Sequence, residues 1–175
     1  MAQTCPVQTV FDILQTEFSA WQPIAFGLAF AAVGFLLIIA PVLMKKILPG
    51  GLQGKARFIF SLVFLAFSLT WTYANYESTY PEYERLKKAA ANGQGKVVEG
   101  KVEKFHPMPI GGHDTEHFEI NGERFAYSDY SYTGGYNRTA SRGGTIRDGL
   151  SLRITHVDNV IVKIEFALNG CFNPV

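Results

Sequence analysis

No lysine or arginine occurs before Lys45, and Asp12 and Glu17 are the only acidic residues in that stretch. Charge is missing altogether from two apolar runs, residues 24–44 and 58–74. A bilayer core takes about 20 apolar residues to span as a helix, so the pair predicts a transmembrane helical hairpin. An ion path or proton relay leaves an ionisable residue inside the membrane, and its absence here argues against a transporter or channel. A secretory signal needs a basic start and a short apolar stretch. The first apolar run is too long and begins too late, so the N-terminus is expected to be retained.

Other absences narrow the function. The net charge is +1 and no long basic run occurs, so the electrostatic footprint of a nucleic-acid binder is missing. No nucleophile motif is present. Gly134-Gly135 and Gly143-Gly144 lack the strand and helix that a phosphate loop needs. An enzyme is not expected, and no cofactor is implied. Only two cysteines occur, Cys5 and Cys171. They can bridge if both ends of the chain lie on an oxidising side; the alternative is two free thiols.

What is present divides the chain into an amphipathic segment (1–22), a hairpin (23–76, spans 24–44 and 58–74), a juxtamembrane helix with linker (77–95) and a β domain (96–175). In the first segment Val7, Val10, Phe11, Leu14, Phe18 and Trp21 recur at helical spacing. With Pro6 in its first turn, such a helix lies in the membrane interface or packs on the β domain. In the first span Gly27, Ala31 and Gly34 form a small-residue stripe. It is expected to face Ser61 and Ser68 of the second span, because small residues allow close helix approach in lipid; a homodimer contact is the alternative. Pro41 is expected to kink the first span near its end.

The link between the spans carries Lys45, Lys46, Lys55 and Arg57 and no acid. Short cationic loops stay in the cytoplasm, which places the N-terminus and the β domain outside. After the second span, Thr79 and Glu82 have capping-box spacing and Gly93 is a stop signal, so a short juxtamembrane helix precedes the β domain, with a continuation of the second span as the alternative.

From Lys96 the hydrophobic period becomes two. Asn121-Gly122 predicts a tight hairpin pairing Ile120 with Glu123, Glu119 with Arg124 and Phe118 with Phe125. For the last hairpin a three-residue loop, 157–159, with Asn159 left-handed, sets Ile154 opposite Val162 and Leu152 opposite Ile164. Five such strands predict a small β-barrel of OB or SH3-like type. The expected class is an α+β membrane protein, a transmembrane hairpin plus a five-stranded outer barrel.

The run ERFAYSDYSYTGGYN, followed by GGTIRDGLSLRITHVDNVIVKIE, resembles a family of uncharacterised bacterial membrane proteins. That family has two spans, a small β domain and an FxYSDY…GxN…GGxI pattern. The resemblance is confined to the β region. It implies a bacterial envelope protein in the cytoplasmic (inner) membrane and brings no catalytic residue.

The long connection 128–148 is the candidate binding surface. Tyr127, Asp129, Tyr130, Tyr132, Tyr136, Asn137, Arg138 and Arg142 offer flat apolar faces edged with donors; the competing reading packs those tyrosines into grooves of the domain. His113, Asp114, Glu116 and His117 spell HDTEH, which lacks the helical HExxH arrangement of a zinc protease. His113 and His117 are the residues a metal would use, but no metal is expected. His156, on an apolar strand face, reads as a core or rim histidine. The chain therefore reads as an envelope binding or scaffold protein. Its expected partners are the lipid bilayer and a protein or second copy, not nucleic acid. An accessory subunit of a larger membrane complex is the alternative, with a metal-dependent hydrolase behind it.

Overall fold

The structure, a computed structural model, describes residues 7–40, 42, 54–111, 114–131 and 133–167. Cys5, Cys171, His113, Tyr132, Pro41, Lys45 and Lys46 lie outside the described residues. The chain is α+β and divides into two compact units, one formed by Ser19–Pro81 and the other by Met1–Phe18 with Glu82–Val175.

The helical unit pairs α1 (Trp21–Ile39) with the first part of α2 (Gly54–Ala91). Both helices are long and apolar enough to cross a membrane. α1 has 19 residues, about 28 Å at the rise of an α-helix. Its buried residues are Gly27, Ala31 and Gly34, and this stripe faces α2. A Cβ on Gly34 would stand 3.1 Å from the Leu65 backbone, and one on Gly27 would stand 3.2 Å from the Thr72 Cβ. Ser61 and Ser68 are buried and turn their hydroxyls onto the carbonyls of Arg57 and Phe64. The Arg57 guanidinium donates to the Leu37 carbonyl, near the end of α1, where helix carbonyls lack partners and a cation is favoured. The other faces are apolar and open: Phe26, Phe30, Val63 and Phe67 are all more than half exposed.

α2 continues without a break past Pro81 and ends at Ala91. Gly93 adopts φ +68, Gly93 N–H bonds the Ala90 carbonyl, and Gln94 N–H bonds the Ala89 carbonyl. That pair of bonds closing on a left-handed glycine is a Schellman stop, as the sequence predicts for Gly93.

Among the described residues the other unit contains seven strands: β1 (Val7–Asp12), β2 (Lys96–Lys101), β3 (Glu103–His106), β4 (Glu116–Ile120), β5 (Glu123–Tyr127), β6 (Ser151–Val157) and β7 (Val160–Ala167). They form two antiparallel sheets, β1-β7-β6-β2 and β3-β4-β5. The expected five-stranded barrel is not seen: among the described residues the strands form two separate sheets, neither closed into a barrel. Among the described residues β5 pairs with β4 alone and β1 with β7 alone, so no ring of hydrogen bonds is completed there. Val102 is the corner between β2 and β3, and both its backbone groups bond the chain at Gly149 and Leu150.

The helix expected over the N-terminal segment is a strand in its first part. β1 pairs with β7, with an irregularity between Thr9 and Phe11. The bulge sends Val10 and Phe11, neighbours in sequence, both toward the main core. A strand interrupted in this way shows apolar residues at mixed spacing and imitates a helical face. The β-branched Val7, Thr9 and Val10 favour extension. Asp12 then turns the chain, accepting the Leu14 N–H on its side chain at 2.9 Å.

The β4–β5 hairpin has the expected register, with Asn121 at φ 48 and Gly122 at φ 82, the signs of a type I′ turn. The carboxylate of Glu119 reaches Lys104 at 2.7 Å. The β6–β7 hairpin corrects the expected three-residue loop. Asp158 and Asn159 form a two-residue turn at φ 49 and 62, pairing Val157 with Val160. The face conflict is relieved by a bulge that absorbs Val162, so Ile154 meets Ile164 and Leu152 meets Phe166. The two carbonyls at the bulge are used: Ile161 accepts the Tyr136 N–H and Val162 the Ile13 N–H, both at 2.9 Å.

The main core lies between the sheets and includes Val102, Phe118, Ile120, Phe125, Ile146, Leu152, Ile154 and Ile164. Each such side chain contributes roughly 1.5–3 kcal/mol by leaving water. A second core on the far side of the larger sheet packs Ile13, Val157 and Val162 against Tyr83, Leu86 and Ala89 at the end of α2. Arg85 ties that end to the β6–β7 turn, bonding both Glu82 and Asp158.

Candidate functional site: the tyrosine loop and its buried carboxylate

The connection 128–148 is held at three places. Gly134 lies against the helix end, where a Cβ would come within 2.5 Å of the Tyr83 Cα. The Tyr136 N–H binds the bulge carbonyl of Ile161. A short 3₁₀ turn, Ala140–Arg142, is fastened from β4 by Glu116.

Glu116 is the centre of the arrangement and is fully buried. Its Oε1 accepts the Tyr127 hydroxyl at 2.5 Å, and its Oε2 accepts the Ala140 N–H at 2.8 Å and the Met108 N–H at 3.4 Å. One carboxylate thus joins β5, the 3₁₀ turn and the β3–β4 connection. A buried carboxylate needs such donors to offset its lost hydration. Burial, then the bond to Glu116, pushes the Tyr127 phenol far above the ordinary tyrosine range. Burial also raises Tyr136, partly offset by hydrogen bonds from Thr145. Both phenols stay neutral as the site stands.

Tyr127 and Tyr136 are core residues. Their rings meet edge to face at 5.2 Å, and Tyr136 meets Phe11 at 5.3 Å. The run of rings continues through Phe118 and Phe125 to His156. His156 is buried, as its place on an apolar strand face implies, with Nε2 2.9 Å from a Glu123 carboxylate oxygen. That pair is close but not aligned as a hydrogen bond.

The remaining loop residues divide differently. Tyr130 and Arg138 are exposed and Asn137 is half-buried. Arg142 is exposed and pairs with Asp129 at 3.0 Å. The solvent-facing part of the expected surface is therefore Tyr130, Arg138 and Arg142, presented by a loop anchored from below. Glu116 was legible as an oddity: it shares the inward face of its strand with Phe118 and Ile120, and the hairpin register sets it opposite Tyr127.

Of the HDTEH residues, His117 lies on the opposite strand face from Glu116 and stacks on His106. Asp114 lies 3.2 Å from His106, and the Thr115 N–H, then His106, holds its carboxyl below the usual range. Among the described residues, no group of three or more His, Cys, Asp or Glu side chains could hold a metal ion.

No family model, curated protein or solved structure matches this chain.

Proposed function

We propose that the chain is an envelope protein of the bacterial cytoplasmic membrane, with α1 and the first part of α2 as a transmembrane hairpin. In this reading the β unit stands on the outer side as a binding or scaffold module with no catalysis of its own. The observation that carries it is the inverted helical unit: small and polar residues face inward while phenylalanine, leucine and valine side chains face outward. Water penalises such a surface at about 25 cal/mol per Å², and lipid does not. The cations Lys45, Lys46, Lys55 and Arg57 between the helices favour a cytoplasmic link. The anchored loop with Tyr130, Arg138 and Arg142 exposed supports partner binding there.

Membership of a larger membrane complex is the second reading, supported by the aromatic rings on the outer helix faces, where Phe30 meets Phe64 and Phe60 stacks on Phe64. Affinity capture from solubilised envelopes separates the two. The triple variant Tyr130→Ala, Arg138→Ala, Arg142→Ala is expected to lose the co-purifying protein, while Phe30→Leu with Phe60→Leu keeps it. The reverse pattern favours the complex-subunit reading. No specific co-purifying protein with the parent chain contradicts both.

A further inference from the structure

We propose that Asn121, at the tip of the β4–β5 hairpin, is a site of spontaneous deamidation, and that the modified side chain releases the hairpin from β2. This inference is independent of the membrane reading. Two Asn–Gly pairs lie among the described residues, Asn92-Gly93 and Asn121-Gly122. Glycine has no side chain to shield its backbone nitrogen, so that nitrogen can attack Cγ of the asparagine before it. A new N–Cγ bond closes a succinimide ring, the Cγ–Nδ2 bond breaks, and ammonia leaves with the proton of the attacking N–H. Water then opens the ring at either carbonyl, giving aspartate or isoaspartate. One water is consumed and one ammonia released, with no oxidant or reductant.

The two pairs are alike in sequence and differ in structure. At Asn92 the attacking nitrogen is engaged. The Gly93 N–H bonds the Ala90 carbonyl at 3.1 Å, and the flanking Asn92 and Gln94 N–H groups bond the Lys88 and Ala89 carbonyls at 3.0 Å. Attack there requires the helix stop to unwind. Gly122 instead lies in the two-residue turn, beyond the last ladder pair of Ile120 with Glu123. Among the described residues its N–H has no backbone acceptor. Asn121 and Gly122 are both exposed, so base and water reach them.

The Asn121 side chain also holds the fold. Its Nδ2 donates to the Glu99 carbonyl of β2 at 2.5 Å. Gly100 leaves room for it: a Cβ there would stand 3.0 Å from Asn121 Oδ1 and 3.1 Å from Ile120 Cγ2. β2 belongs to the larger sheet and β4 to the smaller, so this amide ties one sheet to the other. Deamidation puts a carboxylate oxygen where the donor stood. Two acceptors then face each other, and the Glu99 carbonyl loses its partner. Isoaspartate also adds a methylene group to the backbone of a turn that needs both central residues left-handed. In either form the hairpin tip leaves β2. The step is one-way, so the β unit carries a weak point that grows with the age of the chain.

The test incubates the folded full chain in detergent at mildly alkaline pH, digests samples with trypsin and weighs the peptides. Residues 105–124 hold Asn121 as their one asparagine, and residues 89–96 hold Asn92. The mass gain of an amide turned acid is expected first in 105–124, with 89–96 lagging. In urea, with the fold gone, the two peptides should gain at similar rates. Equal rates in the folded chain, a lead for 89–96, or a lead for 105–124 that urea leaves unchanged each overturns the assignment. Release of the hairpin is read from Asn121→Asp beside Asn121→Gly in thermal unfolding. Glycine keeps the left-handed turn and only removes the amide, whereas aspartate sets a charge against the Glu99 carbonyl, so the aspartate variant is expected to melt lowest and the parent highest. An Asn121→Asp midpoint at or above that of Asn121→Gly overturns the release.

Discussion

Glu116→Ala is expected to lower the stability of the β unit by about 3 kcal/mol or more and to open the loop 128–148 to trypsin. The substitution strands the Tyr127 hydroxyl and the N–H groups of Ala140 and Met108. Each buried donor left without an acceptor costs about 1–3 kcal/mol. Set against a typical total of roughly 5–15 kcal/mol, the loss is large. Glu116→Gln keeps the volume but points an amide donor at one of the existing donors, so an intermediate loss follows. Arg138, Arg142 and Arg147 lie in the same loop, so limited trypsin digestion reports its release directly, beside denaturant unfolding followed by tyrosine circular dichroism. A loop that stays uncut in Glu116→Ala, with a loss under about 1 kcal/mol, would show that the carboxylate does not anchor it.

Gly134→Val is expected to be at least as damaging, for a steric reason. The Cβ would lie 2.5 Å from the Tyr83 Cα and 2.8 Å from its nitrogen. Helix backbone cannot yield as a side-chain tip can, so the loop must lift. Lifting breaks the Tyr136 N–H bond to the Ile161 carbonyl and draws the Tyr136 ring out of the core. Overpacking alone costs about 1–3 kcal/mol, and the lost contacts add to it. Two controls separate the causes. Gly143 has φ +82 and no atom near its missing Cβ, so Gly143→Ala pays only the backbone penalty of roughly 1 kcal/mol. Gly111 has open space and no positive φ, and Gly111→Ala should change nothing. Equal midpoints for Gly134→Val and Gly111→Ala in thermal unfolding would sink the packing argument.

These expectations rest on contacts only partly legible in the sequence. The β4–β5 hairpin could be read residue by residue, because Asn121-Gly122 demands one turn and the alternation then sets every pair. The helices could be read because long uncharged runs have few alternatives. The errors came from bulges. An extra residue at Val10 disguised β1 as a helical face, and one at Val162 let a two-residue turn succeed where simple parity required three. A bulge is decided by partners distant in sequence, here the Ile13 and Tyr136 N–H groups that take the freed carbonyls. The barrel failed for a related reason, since among the described residues the added strand β1 extends one sheet without meeting β5.

In the candidate site, composition located the loop but could not divide its tyrosines. Tyr127 continues the inward alternation of β5 after Phe125, so its burial could have been foreseen. Tyr136 is turned inward by the glycines before it: Gly134 passes close to α2, and Gly135 passes close to β7, where a Cβ would lie 2.5 Å from the Ile161 carbonyl oxygen. Glycine pairs carry no such message until the neighbouring elements are in place. Glu116 was visible as a carboxylate on an apolar face, and the HDTEH motif around it drew attention toward metal ligands and away from that fact.

The most direct test of the membrane reading is site-resolved topology in intact cells. In a chain with Cys5→Ser and Cys171→Ser, single cysteines are introduced as Arg124→Cys, exposed on β5, and Lys55→Cys, exposed near the start of α2. Each is treated with a membrane-impermeant maleimide. With the hairpin in the bilayer and the β unit outside, Arg124→Cys is labelled in intact cells and Lys55→Cys only after lysis. Labelling of Arg124→Cys only after lysis would place the β unit in the cytoplasm, and recovery of the chain in the soluble fraction would remove the hairpin from the bilayer altogether.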